Sequence, residues 1–174
     1  AVHSPTGIPW TVLPDRLVVQ LHWHRLPAFR HALRESGFRI VTIARNPLDV
    51  LVSVLQFRQS DRTTEFWLAG EGGDESGLVG AKPDDPAFMT WALSDRASAL
   101  LSVTPEWWAD AEAVRVRYED FVAAPGDSLA ETGRRLGVEP VRDARELGQS
   151  VSREAMRRRF PAPPGPCGTG RPGG

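Results

Sequence analysis

Phe38-Arg39-Ile40-Val41-Thr42-Ile43-Ala44, followed without a break by Arg45-Asn46-Pro47-Leu48-Asp49-Val50-Leu51-Val52-Ser53, is the stretch on which the fold turns. Its first half is a short apolar run enriched in β-branched residues, the pattern of a strand in a parallel sheet. The second half opens with helix-start signals. Asn46 can cap, Pro47 suits the first turn because its missing N–H is not needed there, and Asp49 stands three residues after the cap as a variant of the capping box. The helix is expected to run to about Gln59. Its Val50, Leu51, Val52, Val54, Leu55 and Phe57 leave little polar face, which predicts cover on most sides.

Working outward, residues 17–22 (Leu-Val-Val-Gln-Leu-His) form a second apolar run suited to a buried strand. Between the two runs, Pro27 opens a helical segment, Phe29 and Leu33 lie four apart, and Gly37 stands just past the end at Ser36. The expectation is a β-α-β unit with a right-handed crossover. Residues 70–85 are rich in glycine and acid without periodicity and read as a long mobile loop. Helical spacing returns over residues 86–101, residues 113–117 read as a third strand, and residues 128–136 as a helix stopped by Gly137. Alternating strands and helices predict an α/β layered domain over residues 1–160. Residues 161–174 are dominated by proline and glycine, cannot bury a core, and are expected to be a disordered tail. Residues 1–15 lack an initiator methionine and carry four prolines or glycines at positions 5, 7, 9 and 14, so they read as irregular chain, with the sequence expected to begin inside a longer protein.

A chain of 174 residues suits one domain, and 41% hydrophobic with 25% charged residues excludes disordered, collagen-like and membrane compositions. No apolar run is long enough to cross a bilayer. Lys+Arg 21 against Asp+Glu 22 gives a net charge of -1, so no overall basic field recommends nucleic acid or an anionic membrane as partner. Any anion must be met by a local site. A lone cysteine, Cys167, cannot form an internal disulfide, and with no secretory signal pattern the expected compartment is the cytoplasm. Lys82 is the only lysine, a bias toward arginine that fits a GC-rich bacterial coding sequence.

The carboxyl end of a strand meeting the start of a helix is where open α/β sheets bind ligands. Arg45 sits there with a rigid fork of donors suited to phosphate oxygens, and Ser53 can add a hydroxyl donor, which together make a small anion site. The competing reading pairs Arg45 with Asp49 and leaves Ser53 facing a neighbouring helix.

Arg45 to Ser53 resembles the 3′-phosphate-binding motif of the sulfotransferases that use 3′-phosphoadenosine-5′-phosphosulfate (PAPS), an Arg-Asp-Pro-x-Asp pattern followed by a helix serine, with Asn46 here in place of the commoner Asp. Val116-Arg117-Tyr118-Glu119-Asp120-Phe121, followed by Pro125, Leu129 and Leu136-Gly137-Val138, is similar to the family's Arg-Tyr-Glu-Asp-Leu strand and next helix. The resemblance covers roughly residues 17–156. It implies a three-layer, parallel-sheet, P-loop-like fold, incomplete at the N-terminus because the loop that cradles the 5′-phosphosulfate has no counterpart in the sequence. It further implies transfer of a sulfuryl group from PAPS, as co-substrate and without a metal, to a hydroxyl or amine of a small-molecule or carbohydrate-like acceptor. Activity of these residues by themselves is expected to be absent for want of that loop. By the same resemblance Arg45 and Ser53 hold the 3′-phosphate, Tyr118 contacts the adenine region, and Ser152 and Met156 line the nucleotide, although Arg153 stands where the family has an aromatic residue.

His22, in Gln20-Leu21-His22-Trp23-His24, falls where the family reads Lys-Thr-His with the histidine as general base, and Gln20 replaces the lysine. Such a group is needed because the acceptor loses a proton as it attacks sulfur, and imidazole titrates near neutral pH. His24 lies two residues on, on the same face of a regular strand, and is the alternative base. A metal pair or a plain structural histidine is the competing reading. Trp67, Trp91, Trp107 and Trp108 are read as core rather than as an acceptor pocket. The rival functions are a nucleotide-binding module without transfer and a P-loop kinase relative, the second disfavoured because no glycine-rich loop carries the lysine and Ser/Thr that kinase chemistry uses.

Overall fold

The computed structural model describes residues 8–14, 16–60, 75–139, 142–150, 154–155 and 158. The chain divides into two compact units, residues 1–118 and 119–174. The first is mixed α/β, mostly helical, with a parallel sheet of two strands: α1 (Pro27–Glu35), β1 (Val41–Ala44), α2 (Pro47–Ser60), α3 (Pro86–Ala92), α4 (Asp95–Trp108) and β2 (Val114–Arg117). α5 (Tyr118–Ala123) leads into the second unit, where α6 (Pro125–Leu136) packs against α7 (Ala144–Ser150).

Each helix of the first unit forms where local chemistry starts and stops it. Pro27 enters α1 at its first turn, Phe29 and Leu33 bury the expected face, and Gly37 closes it at φ +73. The Phe38 N–H reaches Leu33 O at 3.0 Å and the Gly37 N–H reaches Arg34 O at 3.0 Å, the paired bonds of a Schellman ending. α2 starts as the sequence predicts, with Asn46 Oδ1 accepting the Leu48 N–H at 3.0 Å. Leu51, Leu55 and Arg58 form its buried stripe, whereas Leu48 and Phe57 remain exposed, so the helix is less enclosed than its composition suggests. The expected single helix over residues 86–101 is two helices. Asp85 Oδ1 caps α3 through the Ala87 N–H, and Ser94 restarts the chain as α4, its hydroxyl donating to Trp91 O at 2.6 Å and accepting the Ala97 N–H at 3.3 Å. Ser94→Ala should therefore cost about 1 kcal/mol in urea unfolding, the usual worth of a cap; an unchanged midpoint would show that α4 needs no cap.

Two corrections concern the strands and the loop. Residues 17–22 do not form a strand: they run irregularly, with Val18 96% exposed. A strand exists only where a neighbour takes up its backbone N–H and C=O groups, and the two strands of the sheet, β1 and β2, pair with each other in the register Val41↔Val114 to Ala44↔Arg117. Among the described residues the elements between the two parallel strands are α2, α3 and α4, and the expected unit built from residues 17–44 is not formed. The described part of the expected mobile loop, residues 75–85, is ordered by burial. Leu78 and Ala81 enter a core with Leu51, Leu55, Phe88, Trp91 and Ala97. Glu75 is buried against Arg96 Nε at 2.8 Å, and its carbonyl accepts from Arg58 Nε at 3.3 Å. A second core gathers Trp10, Phe29 and Leu33 with Trp23, Phe38, Ile40 and Trp107 around them.

In the second unit Gly137, at φ +66, ends α6 as expected, with the Val138 N–H on Gly133 O at 2.9 Å. The backbone of α7 at Gly148 lies so close to Gly126 that a Cβ there would collide with it, which explains a glycine inside a short helix. Neither α5 nor α7 is evident from the sequence pattern. No helix among the described residues is long and apolar enough to cross a membrane.

Candidate functional site

Because β1 and β2 are parallel and Ala44 pairs with Arg117, the residues that follow them, Arg45 and Tyr118, leave the sheet side by side at its carboxyl edge. Their side chains use this proximity. The Arg45 guanidinium carbon lies over the Tyr118 ring, 4.7 Å from its centre, a cation–π contact that holds the head of the side chain at this edge. Arg45 makes no ion pair with Asp49, so the pairing reading of the motif does not hold. Its Nε is buried and has no hydrogen-bond partner among the described residues. A buried, charged donor left unmatched costs more than an ordinary missing bond, which singles out Arg45 among the polar groups of this edge. The start of α2 lies next in the chain, and its first N–H groups carry the positive end of the helix dipole.

Ser53 is half-buried on α2. It stands two residues from both Leu51 and Leu55, about 200° around the helix, and so faces away from the buried stripe. The carry-over of Arg45, Ser53 and Tyr118 thus reaches one strand-helix junction and one stacked pair. Ser152 and Met156 lie outside the described residues.

The two histidines sit on the irregular segment before α1. His22 is exposed. The His24 Nδ1 is 3.0 Å from Glu106 Oε1 on the last turn of α4. The other carboxylate oxygen of Glu106 accepts the Arg25 N–H at 2.9 Å. The bond from His24 holds the Glu106 carboxyl below the ordinary carboxylate range against the opposing effect of burial, and the Arg25 N–H adds to the same shift. Next to it the side chain of Asp110, only 2% exposed, accepts from Arg25 Nε at 2.7 Å and from Arg30 Nε at 3.0 Å. Arg30 also reaches Glu112 at 2.7 Å. Trp107 Nε1 donates to Trp23 O at 2.8 Å, so residues 23–25 are tied to the end of α4 at every position.

This acidic clasp is what the sequence reading missed. Its signal was available: Glu106, Asp110 and Glu112 crowd the carboxyl end of a helix, where the dipole favours cations, so their charge calls for basic partners from elsewhere in the chain. Trp91 and Trp107 do belong to the cores, as expected, while Trp67 lies outside the described residues. Among the described residues no cluster of three or more histidine, cysteine or acidic side chains is placed to hold a metal ion. No protein-family model, no curated protein and no solved structure matches this chain.

Proposed function

We propose that the chain carries the 3′-phosphate side of a sulfotransferase site, binding PAPS in an enzyme class that passes the sulfuryl group to an acceptor hydroxyl or amine; transfer by these residues by themselves is not expected, because the sequence holds no counterpart of the loop that cradles the 5′-phosphosulfate. The observation that carries this reading is the Arg45–Tyr118 stack at the carboxyl edge of the parallel strands, with a buried Arg45 Nε that has no hydrogen-bond partner among the described residues. These residues suit a phosphate: a rigid, permanently charged fork, a neighbouring helix N-terminus, and Ser53 on the open side of that helix. PAPS supplies an activated sulfuryl group whose departure leaves adenosine 3′,5′-bisphosphate. Arg45 binds and orients, Tyr118 holds the guanidinium head and borders the base, and, where transfer occurs, an imidazole from His22 or His24 takes the acceptor's proton.

The test is calorimetry with adenosine 3′,5′-bisphosphate and adenosine 5′-phosphate. Arg45→Ala should weaken the bisphosphate by about 1.5–3 kcal/mol, the scale of a hydrogen bond to a charged group, and change the monophosphate much less. Arg45→Lys keeps the charge but not the fork and should recover only part of the loss. Equal losses for both nucleotides would contradict a 3′-specific role.

A further inference from the structure

We infer that the Arg45–Tyr118 edge recognises a nucleotide through one phosphate and leaves its 5′ end unread, so that its ligand class is the 3′-phosphoadenosine group with any 5′ substituent, coenzyme A included; this rests on the 3′-phosphate reading above. The argument starts from the donors that the edge has to give. Arg45 brings its guanidinium over the Tyr118 ring, and its buried Nε has no hydrogen-bond partner among the described residues. One side of a guanidinium fork matches two oxygens of a single phosphate.

The start of α2 adds little to that. Pro47 has no N–H, the Leu48 N–H is taken by Asn46 Oδ1 at 3.0 Å, and the Val50 N–H is taken by Asn46 O at 3.1 Å. The first turn keeps the Asp49 N–H for a ligand, and with it comes the exposed carboxylate of Asp49 itself. Ser53 lies four residues on, one turn along the same face of α2, so an anion drawn toward its hydroxyl shares that face with a negative charge.

The charge balance of the edge is therefore small. One guanidinium and about half a positive charge from the helix dipole stand against the Asp49 carboxylate. This offsets part of one phosphate and leaves nothing for a second. The cations of β2 do not enlarge the count: Arg115 donates to Trp108 O at 2.7 Å and to Asp110 O at 3.3 Å, and Arg117 lies on the same exposed face of the strand as Arg115, opposite Val114 and Val116.

A nucleotide known by a single phosphate is known by where that phosphate sits relative to the base. Adenosine 3′-phosphate, adenosine 3′,5′-bisphosphate and coenzyme A carry the same 3′-phosphoadenosine and differ only at the 5′ oxygen, where coenzyme A bears a diphosphate and its pantetheine arm. Dephospho-coenzyme A lacks only the 3′-phosphate, so it separates the two ends of the molecule.

The experiment uses the full wild-type chain and needs no turnover. Calorimetry gives the affinities of these four compounds and of adenosine 5′-phosphate. Tyr118 is the one tyrosine of the sequence, so its ring signals in protein labelled with ¹³C-tyrosine report on this edge alone. The three 3′-phosphates should bind within about fivefold of one another, a gap of about 1 kcal/mol, and each should shift the Tyr118 signals. Dephospho-coenzyme A and adenosine 5′-phosphate should bind at least about tenfold more weakly, the loss expected when a hydrogen-bonded charge is removed. Arg117→Gln should leave the ratio of bisphosphate to 3′-phosphate affinity unchanged. A bisphosphate that binds beyond that fivefold margin over adenosine 3′-phosphate or coenzyme A, a loss in Arg117→Gln confined to compounds with a 5′-phosphate, or coenzyme A that binds without shifting Tyr118 would overturn this inference and leave the 3′-phosphate reading standing. Absence of binding by adenosine 3′-phosphate and the bisphosphate, or equal affinity for adenosine 5′-phosphate, would overturn that reading and this inference with it.

Discussion

Phe29→Ala is expected to lower the free energy of unfolding by about 3–5 kcal/mol, the range for emptying an aromatic site in a packed core. The ring is 2% exposed and is the hub of the second core. Trp10 lies 5.5 Å away in a tilted contact, and Trp23 at 5.6 Å and Trp107 at 5.8 Å meet it edge to face. Those neighbours come from three different places: the 3-10 turn Trp10–Val12, the irregular segment before α1, and the end of α4. Each edge-to-face pair adds about 0.5–1.5 kcal/mol beyond the area it buries, and the remaining indoles are too large and too constrained to collapse into the gap. The check is urea unfolding followed by tryptophan fluorescence, with Phe29→Leu alongside. The leucine variant should lose clearly less because it fills part of the volume. A loss below about 1 kcal/mol for the alanine variant would mean that the cluster closes over the gap, against the packing argument.

How much of this fold is legible in the sequence depends on the distance over which each element is decided. α1, the start of α2, and the end of α6 are set by signals within a few residues: Pro27 and Gly37, Asn46 and Pro47, Gly137. Such local chemistry can be read directly. Residues 17–22 fail for the opposite reason. Leu17-Val18-Val19 has the composition of a buried strand, yet a strand is a pairwise object, and composition does not supply the neighbour that would complete it. Ser94 was a visible cap signal inside helical spacing, and reading the period alone merged α3 with α4. The glycine-rich look of residues 70–85 hid that Leu78 and Ala81 bury and that Glu75 faces two arginines, because burial of a loop is decided by what packs on it.

The candidate site divides along the same line. That Arg45 would stand at a strand-to-helix junction follows from a contiguous motif. That it would stack on Tyr118, seventy-three residues later, follows from parallel pairing in the register Ala44↔Arg117, which no local pattern encodes. His22 and His24 look equivalent as a sequence pair. They differ once α4 brings Glu106 to one of them.

The cluster beneath that pair carries the other large effect. Asp110→Ala should destabilise the protein by about 3–5 kcal/mol, because it removes the buried carboxylate that Arg25 and Arg30 share and leaves Arg30 with Glu112, whose side chain is largely exposed. The Asp110 side chain is 2% exposed and the Arg30 side chain 12%, so water does little to replace the lost carboxylate, whereas Arg25, 36% exposed, can turn outward. The effect has a definite dependence on pH. The bond from Arg30 holds the Asp110 carboxyl far below its ordinary range, with burial opposing and Arg25 and the Glu112 N–H assisting. A carboxyl depressed in the folded state contributes stability that is complete above its unfolded pKa of about 4 and drains away as pH falls toward the folded value. Urea midpoints of the wild type should therefore drop between about pH 5 and pH 2, and those of Asp110→Asn should drop less, since the variant has no proton to take up there. The depressed Glu106 carboxyl contributes in the same direction in both proteins and cancels in the comparison. Because the Asp110 carboxylate also anchors Arg25, the residue after His24, the same variant should loosen the segment that carries the imidazole. Its His24 resonance should then broaden or shift at neutral pH, before any acid is added. Parallel pH curves for the two proteins would show that the buried carboxylate is not the titrating group and would remove the electrostatic account of how residues 23–30 are held to α4.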